Sequence, residues 1–273
     1  MNATAKNLLQ LLPDPSVAQA AYYVQSGRQV VLVLKQKALN PDARYSLREA
    51  VQAAWAGLEI DGLWLHYFPS AGRRVLADSG WDLLYGSPQS RDEEGLLYGP
   101  AAFAQLLPGL HAQALELMLA FLAPAPSHAV LDLYCGAGRS LGRFTEAGAK
   151  VLGIELGGDA VTCARLNAPQ TEVLRGTCAQ RLPQIRAWWN AVEPDARLAY
   201  ANPPRTGLEP ELLQYLAEEG RPVRLAYLSC SAGTLRRDLA VLEQNGYTVE
   251  ALLPFDFFPQ THHVETLALL RRV

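Results

Sequence analysis

The chain has 273 residues, 49% hydrophobic and 19% charged, with a formal net charge of −3; that length suggests about two domains with a sizeable packed core. The acidic balance speaks against a protein that grips nucleic acid through overall positive charge, although twenty of the 24 basic residues are arginine, which suits local phosphate contacts. No apolar run reaches the roughly 18 residues of a bilayer span, the opening MNATAKNLLQLLPDPS is not read as a signal peptide, and the four cysteines form no CxxC, so the expectation is a cytoplasmic protein without membrane segment, metal site or disulfide.

The first half reads as a small α/β unit. VVLVLK (30–35) is a valine-rich strand. SLREAVQAAWAGL (46–58) is a helix, with Ser46 as N-cap and Glu49 completing a capping box. GLWLHYF (62–68) alternates and is a strand. RRVLADSG and WDLLYGS are two more short strands. A long helix is expected to begin in GPAAFAQLLPGL and run through the alanine-leucine stretch behind it, capped or interrupted at Pro108-Gly109. The composition changes near residue 124, where LAPAPSHAV reads as a join between domains.

The second half alternates strand and helix. Strands are expected at 129–135, 150–156, in TEVLRG, at 197–204, 223–230, 247–255 and 264–272. Helices are expected in GRSLGRFTEAG, DAVTCARLNA, AQRLPQIRAWWN, EPELLQYLAEEG and GTLRRDLAVLEQNG. This pattern predicts a mostly parallel sheet covered on both faces. The last two strands have no helix between them and suggest an antiparallel closing hairpin.

In such a sheet ligands bind beyond the carboxyl ends of the strands. The first strand of this half runs into Asp132-Leu-Tyr-Cys-Gly-Ala-Gly138, a G-x-G turn in which Gly136 and Gly138 let the backbone approach a ligand. Glu155 ends the next strand, where an acid can bind ribose hydroxyls. A third glycine at the dinucleotide spacing is missing, because position 141 is leucine, so S-adenosylmethionine fits better than NAD. A further strand ends in Ala201-Asn-Pro-Pro-Arg205. Asn-Pro-Pro followed by an aromatic ring would suggest methylation of an amine; Arg205 stands there instead. Cys230 ends the strand after that, and the helix start behind it favours a thiolate, with Arg236 and Arg237 close in sequence. Glu265 heads the last strand and is the candidate general base. The adjacent His262 and His263 are poor evidence for a metal.

Taken in order, these motifs resemble the uracil-C5 methyltransferases of tRNA and ribosomal RNA. The matching stretches are FxQ at Phe103–Gln105, DLYCGxG at Asp132–Gly138, Glu155, A-R-x-N-A at 164–168, PPR-x-G-L at 203–208, S-C with T-L-x-R-D at 229–238, and FPQT-x-HVE at 258–265. They span about 170 residues; the first 90 or so match only loosely. The resemblance implies a Rossmann-like class I methyltransferase sheet, mostly parallel with an antiparallel C-terminal strand, as a catalytic domain at 96–273. A smaller α/β domain at 1–95 would contact RNA. It implies S-adenosylmethionine as cofactor, bound at Gln105, Tyr134, Gly136, Gly138, Glu155 and Asn202. Cys230 would attack C6 of uracil and Glu265 would take the C5 proton, a covalent route that divides one difficult step into two. Arg205, Phe257 and Phe258 would hold the flipped base.

The chain departs from the family pattern at Asn202, usually Asp; at Arg139, usually small or Asn; at Leu107, usually Asn; and at Thr177-Cys178, where an acid is expected. The expectation is also a short form without the β-barrel domain and iron–sulfur cysteines that many relatives carry. Three sources of RNA grip stay open: a small structured substrate, a partner protein, or the arginine pairs Arg73-Arg74 and Arg236-Arg237. Two rival readings are a weakened relative that binds RNA or cofactor without turnover, and an N-methyltransferase.

Overall fold

The structure is a computed structural model that describes residues 3–12, 14–24, 28–72, 75–77, 79–105 and 107–273. It divides into two compact units, Met1–Ala104 and Gln105–Val273. No helix among the described residues is long and apolar enough to cross a membrane.

The first unit runs α1 (Ala3–Leu11), β1 (Ala18–Val24), β2 (Gln29–Leu34), α2 (Pro41–Ala54), β3 (Gly62–Tyr67), β4 (Trp81–Gly86) and a two-residue ladder of β5 (Ser90–Arg91) with β6 (Leu97–Tyr98). Its sheet has the order β1-β2-β3-β4, with β2 and β3 parallel and the outer pairs antiparallel. β2 is buried at every position, as its unbroken apolar run requires of a central strand. α2 begins earlier than the Ser46 cap predicts. Asn40 accepts the Ala43 N–H at 2.7 Å and Pro41 opens the first turn, a start in which proline has no hydrogen bond to lose. Residues 75–77 are not a strand, and Arg73-Arg74 lie outside the described residues. α1 and β1 were not legible in the sequence; Leu8 and Leu12 plug the core formed by β2, α2 and β3.

The second unit runs α3 (Pro108–Leu122), β7 (Ala129–Leu133), α4 (Arg139–Glu146), β8 (Lys150–Glu155), α5 (Gly158–Asn167), β9 (Glu172–Arg175), α6 (Leu182–Asn190), β10 (Arg197–Ala201), α7 (Pro210–Tyr215), β11 (Arg224–Ser229), α8 (Ala232–Gln244), β12 (Tyr247–Phe255) and β13 (Glu265–Arg272). Its sheet has the order β12-β13-β11-β10-β7-β8-β9. β13 slots between β11 and β12, antiparallel to both, and the remaining pairs are parallel. The expected α/β architecture, mostly parallel with an antiparallel C-terminal strand, is therefore present.

Two cores cover the two faces of this sheet. One packs Trp189, Leu212, Leu235 and Leu239 from α6, α7 and α8 onto Leu133, Ile154 and Tyr227. The other packs Leu115, Met118, Leu141 and Phe144 from α3 and α4 onto Tyr200, Leu228 and Leu267. α3 starts at Pro108, not near residue 100, because proline is tolerated in a first turn and disruptive further in. Pro183 likewise sits in the first turn of α6. The proline-rich stretch after α3 joins α3 to β7 inside this unit, with Ala123 closing the helix in the left-handed region.

Candidate active site

The sheet order reverses between β7 and β10, the place where a crevice opens beyond the strand ends. From β7 the chain turns through Tyr134, Gly136 and Gly138 with φ of 60°, 56° and 86°. The glycines take this conformation freely; Tyr134, with a Cβ, carries backbone strain of about 1–3 kcal/mol. Its ring is held against the α6–α8 core, and the Glu209 N–H donates to its hydroxyl at 3.5 Å. A Cβ on Gly138 would lie 3.0 Å from Ala164 Cα, so glycine is needed where the turn seats on α5. A Cβ on Gly136 would meet nothing within 4 Å, so open space lies above the turn.

Glu155 is fixed facing that turn. Its Oε2 accepts the Gly136 N–H at 3.0 Å and its Oε1 accepts the Gly157 N–H at 2.7 Å. Each oxygen keeps a lone pair for a ligand hydroxyl. Beneath the turn, Asp132 is fully buried and accepts a 2.5 Å bond from Ser140. Burial, with a smaller contribution from the Glu155 charge, pushes its carboxyl up to about 7 against the lowering effect of the Ser140 bond. Asn202 follows β10, half-buried, its N–H donating to Leu133 O at 3.2 Å.

The strand register brings Cys230 and Glu265 together. Ser229 pairs with Thr266 at the end of the β11–β13 ladder, and Cys230 and Glu265 are the next residues there, close enough for the Glu265 charge to act on the thiol. Leu228 and Leu267 pair on the α3 face, and side chains two residues along return to the same face. Glu265 is 5% exposed. Gln105 Nε2 donates to Glu265 Oε2 at 3.1 Å, and Gln105 Oε1 is buried without a partner. Gln105 thus lies beside the candidate base.

Electrostatics at this pair correct one expectation. The Cys230 thiol is pushed up, not down: burial raises it first and the Glu265 charge second, outweighing its own backbone hydrogen bond and the Arg205 charge. Arg237 gives the thiol no help, since it pairs with Asp238 at 2.6 Å and donates to Thr206 O and Leu208 O. Glu265 is raised too, by burial, with the Gln105 bond pulling the other way.

Phe257 does not line an open cleft. It is 0% exposed and stacks on Phe255 at 5.6 Å, with His111 edge-on at 6.1 Å, so no base can lie on it in this arrangement. Phe258 is half-buried, and Arg205 is exposed. Sequence reasoning missed what Arg205 touches: its Nη2 lies 3.3 Å from His263 Nε2. It also passed over His111, whose imidazole is driven down to about 4 by burial and then by the Arg139 charge. Pairings between loops of this kind have no spacing signature. The four cysteines are unbridged, and only Cys230 escapes burial.

Comparison with known proteins places this geometry in context. Residues 194–273, which hold Asn202, Arg205, Cys230 and Glu265, match a family described as tRNA (Uracil-5-)-methyltransferase. An "Uncharacterized RNA methyltransferase" of Clostridium tetani is 39% identical over 158 residues, 56% of this chain and 33% of that protein. A 23S rRNA (uracil(1939)-C(5))-methyltransferase RlmD of Thiobacillus denitrificans is 34% identical over 212 residues, 75% of this chain and 47% of that one. The chain spans less than half the length of these relatives. The Pyrococcus abyssi tRNA (uracil-54, C5)-methyltransferase, solved with S-adenosyl-L-homocysteine, superimposes with a TM-score of 0.61 at 22% identity, covering 89% of this chain and 56% of that one, which supports the fold. The resemblance read from the motifs is borne out.

Proposed function

We propose that this protein, a relative of the RNA uracil-C5 methyltransferases, methylates C5 of a uridine in tRNA or ribosomal RNA. The observation that carries the reading is the meeting of Cys230 and Glu265 on the sheet edge that also bears the G-x-G turn. The open space above Gly136 and the fixed carboxylate of Glu155 fit S-adenosylmethionine, which supplies an electrophilic methyl group. Tyr134, Gly136, Gly138, Glu155 and Asn202 would hold it.

Uracil C5 is too weak a nucleophile to take a methyl group unaided. The Cys230 thiol gives up its proton to solvent, its sulfur forms a bond to C6, and the electron pair of the opened C5–C6 double bond passes to C5 and O4, so that C5 becomes enolate-like. C5 would take the methyl group as its bond to the sulfonium sulfur breaks, with S-adenosylhomocysteine as the leaving thioether. Glu265 then removes the C5 proton, the double bond re-forms, and the bond to Cys230 sulfur breaks. Gln105 orients Glu265 through its 3.1 Å bond. The base reaches the thiol only when flipped out of its stack; Arg205 and Phe258 are the side chains we assign to hold it, and residues 1–95 are assigned a share of RNA contact. A second reading, binding without turnover, is favoured by Asn202, which brings no negative charge to a sulfonium.

The test is methyl transfer from labelled S-adenosylmethionine to total RNA from cells lacking this gene, followed by nucleoside analysis by mass. 5-Methyluridine is expected from the wild type and none from Cys230→Ala. 5-Methylcytidine would keep the thiol chemistry and change the base. A folded, cofactor-binding protein that yields no product would favour the second reading.

A further inference from the structure

The loop between β12 and β13 carries two histidines, His262 and His263, that the chemistry above does not use. Gln260 sits at φ 65°, and the turn is closed by the Thr261 N–H and hydroxyl, both donating to Phe258 O at 3.1 and 2.8 Å. Thr261 Oγ1 in turn accepts the His263 N–H at 3.1 Å. This holds the His262 and His263 rings 4.2 Å apart, with Phe258 edge-on to His263 at 6.2 Å. Arg205 reaches His263 Nε2 from the other side, at 3.3 Å. The Arg205 backbone is tied to the nucleophile's neighbour, because Thr234 Oγ1 contacts both Arg205 O and Ser231 O at 3.2 Å.

The charges here are unbalanced. Arg28, Arg44, Arg186 and Arg272 each have a carboxylate at 2.6–2.8 Å. Among the described residues Arg205 has no carboxylate at ion-pair distance; its guanidinium meets an imidazole. The other charged groups on the elements that meet here are Asp256 and Glu265 at the ends of the loop and Arg236, Arg237 and Asp238 on α8. Glu265 is buried beside Gln105, and Asp238 is occupied by Arg237, Tyr227 and the Leu208 N–H. Asp256 alone is an exposed acid at this surface.

A guanidinium can donate to Nε2 only while that nitrogen carries no proton. Protonating His263 sets two cations side by side, which is favourable only when an anion lies between them. We infer that Arg205 and His263, with His262 behind, form a binding site for a phosphodiester of the RNA backbone next to the target uridine. The inference rests on the RNA methyltransferase reading and names where that RNA is held. His263 is lowered in the free protein by desolvation, then by His262 and Arg205. A bound phosphate reverses that balance, so binding takes up a proton. A phosphodiester does not titrate near neutral pH, so the proton is the protein's. Affinity therefore falls as pH rises through the window between the free and bound values, by at most about tenfold per pH unit for one proton.

The test is fluorescence anisotropy with a labelled single-stranded RNA 12-mer, with S-adenosylhomocysteine present, from pH 5.5 to 8.5. Wild type is expected to bind several-fold more weakly at the upper end. His263→Gln should flatten that dependence, and Arg205→Gln should weaken binding throughout and reduce its salt slope by about one. Retention of the full pH dependence in His263→Gln overturns the site. So does inorganic phosphate that saturates the site at micromolar concentration, which would make it a site for free phosphate. Formation of 5-methyluridine with an unchanged pH slope in His263→Gln sinks this inference alone. A slope lost in His263→Gln without any 5-methyluridine sinks the methyltransferase reading and leaves the RNA site standing.

Discussion

Cys230, the proposed nucleophile, sits where its surroundings disfavour the thiolate. Burial and the facing Glu265 charge both work against the thiolate, and Arg205 offsets them only in part. Glu265, raised by burial, must itself be ionised to act as a base. Both groups therefore gain their working form as pH rises. The expected outcome is a kcat that rises between pH 6 and 9, by up to about tenfold per unit while the thiol limits the rate. RNA affinity, if held by His263, moves the other way. A pH profile resolved into kcat and KM checks this; a kcat that falls over that range contradicts it.

Among the elements, the G-x-G turn joins fold to function most directly, and its two glycines are predicted to behave differently. Gly138→Ala places a Cβ 3.0 Å from Ala164 Cα at φ 86° and should cost about 1–3 kcal/mol of stability. Gly136→Ala meets no neighbour, so its folding penalty is limited to the backbone strain at φ 56°. Its methyl group projects into the open space proposed for the cofactor, so it should weaken S-adenosylhomocysteine binding more than it lowers Tm. Thermal denaturation and calorimetric titration of both variants separate the two effects. The strands that frame this turn were legible because β7, β8, β10 and β11 are short apolar runs ended by glycine, proline or a polar residue. The helix starts were less so: Asn40-Pro41 caps α2 ahead of the Ser46 that the capping-box pattern singles out. Cys230 and Glu265 were readable from motif order. Their raised titration was not, because burial depends on which helices cover the strand ends. Phe257 looked like a base-stacking residue and is core, because the alternation of β12 continues past its end: Phe255 is buried, Asp256 exposed and Phe257 buried again.

At the scale of the whole molecule, neither unit has a net positive charge to attract RNA. Residues 1–104 hold 9 basic against 10 acidic side chains, and residues 105–273 hold 15 against 17. The RNA contact proposed above would then rest on local arrangements such as Arg205 with His263, and its salt dependence is expected to be shallow. The chain also spans less than half of the relatives it resembles, so the central claim has to be tested on this protein itself. The most direct measurement is trapping with RNA containing 5-fluorouridine in the presence of S-adenosylmethionine. Fluorine at C5 cannot leave as a proton, so the reaction should stop at a methylated base bonded to sulfur. The account predicts a denaturation-resistant protein–RNA complex, a modified peptide carrying Cys230, and no complex from Cys230→Ala. A complex that persists in Cys230→Ala, or 5-methyluridine formed by that variant from ordinary RNA, would contradict it.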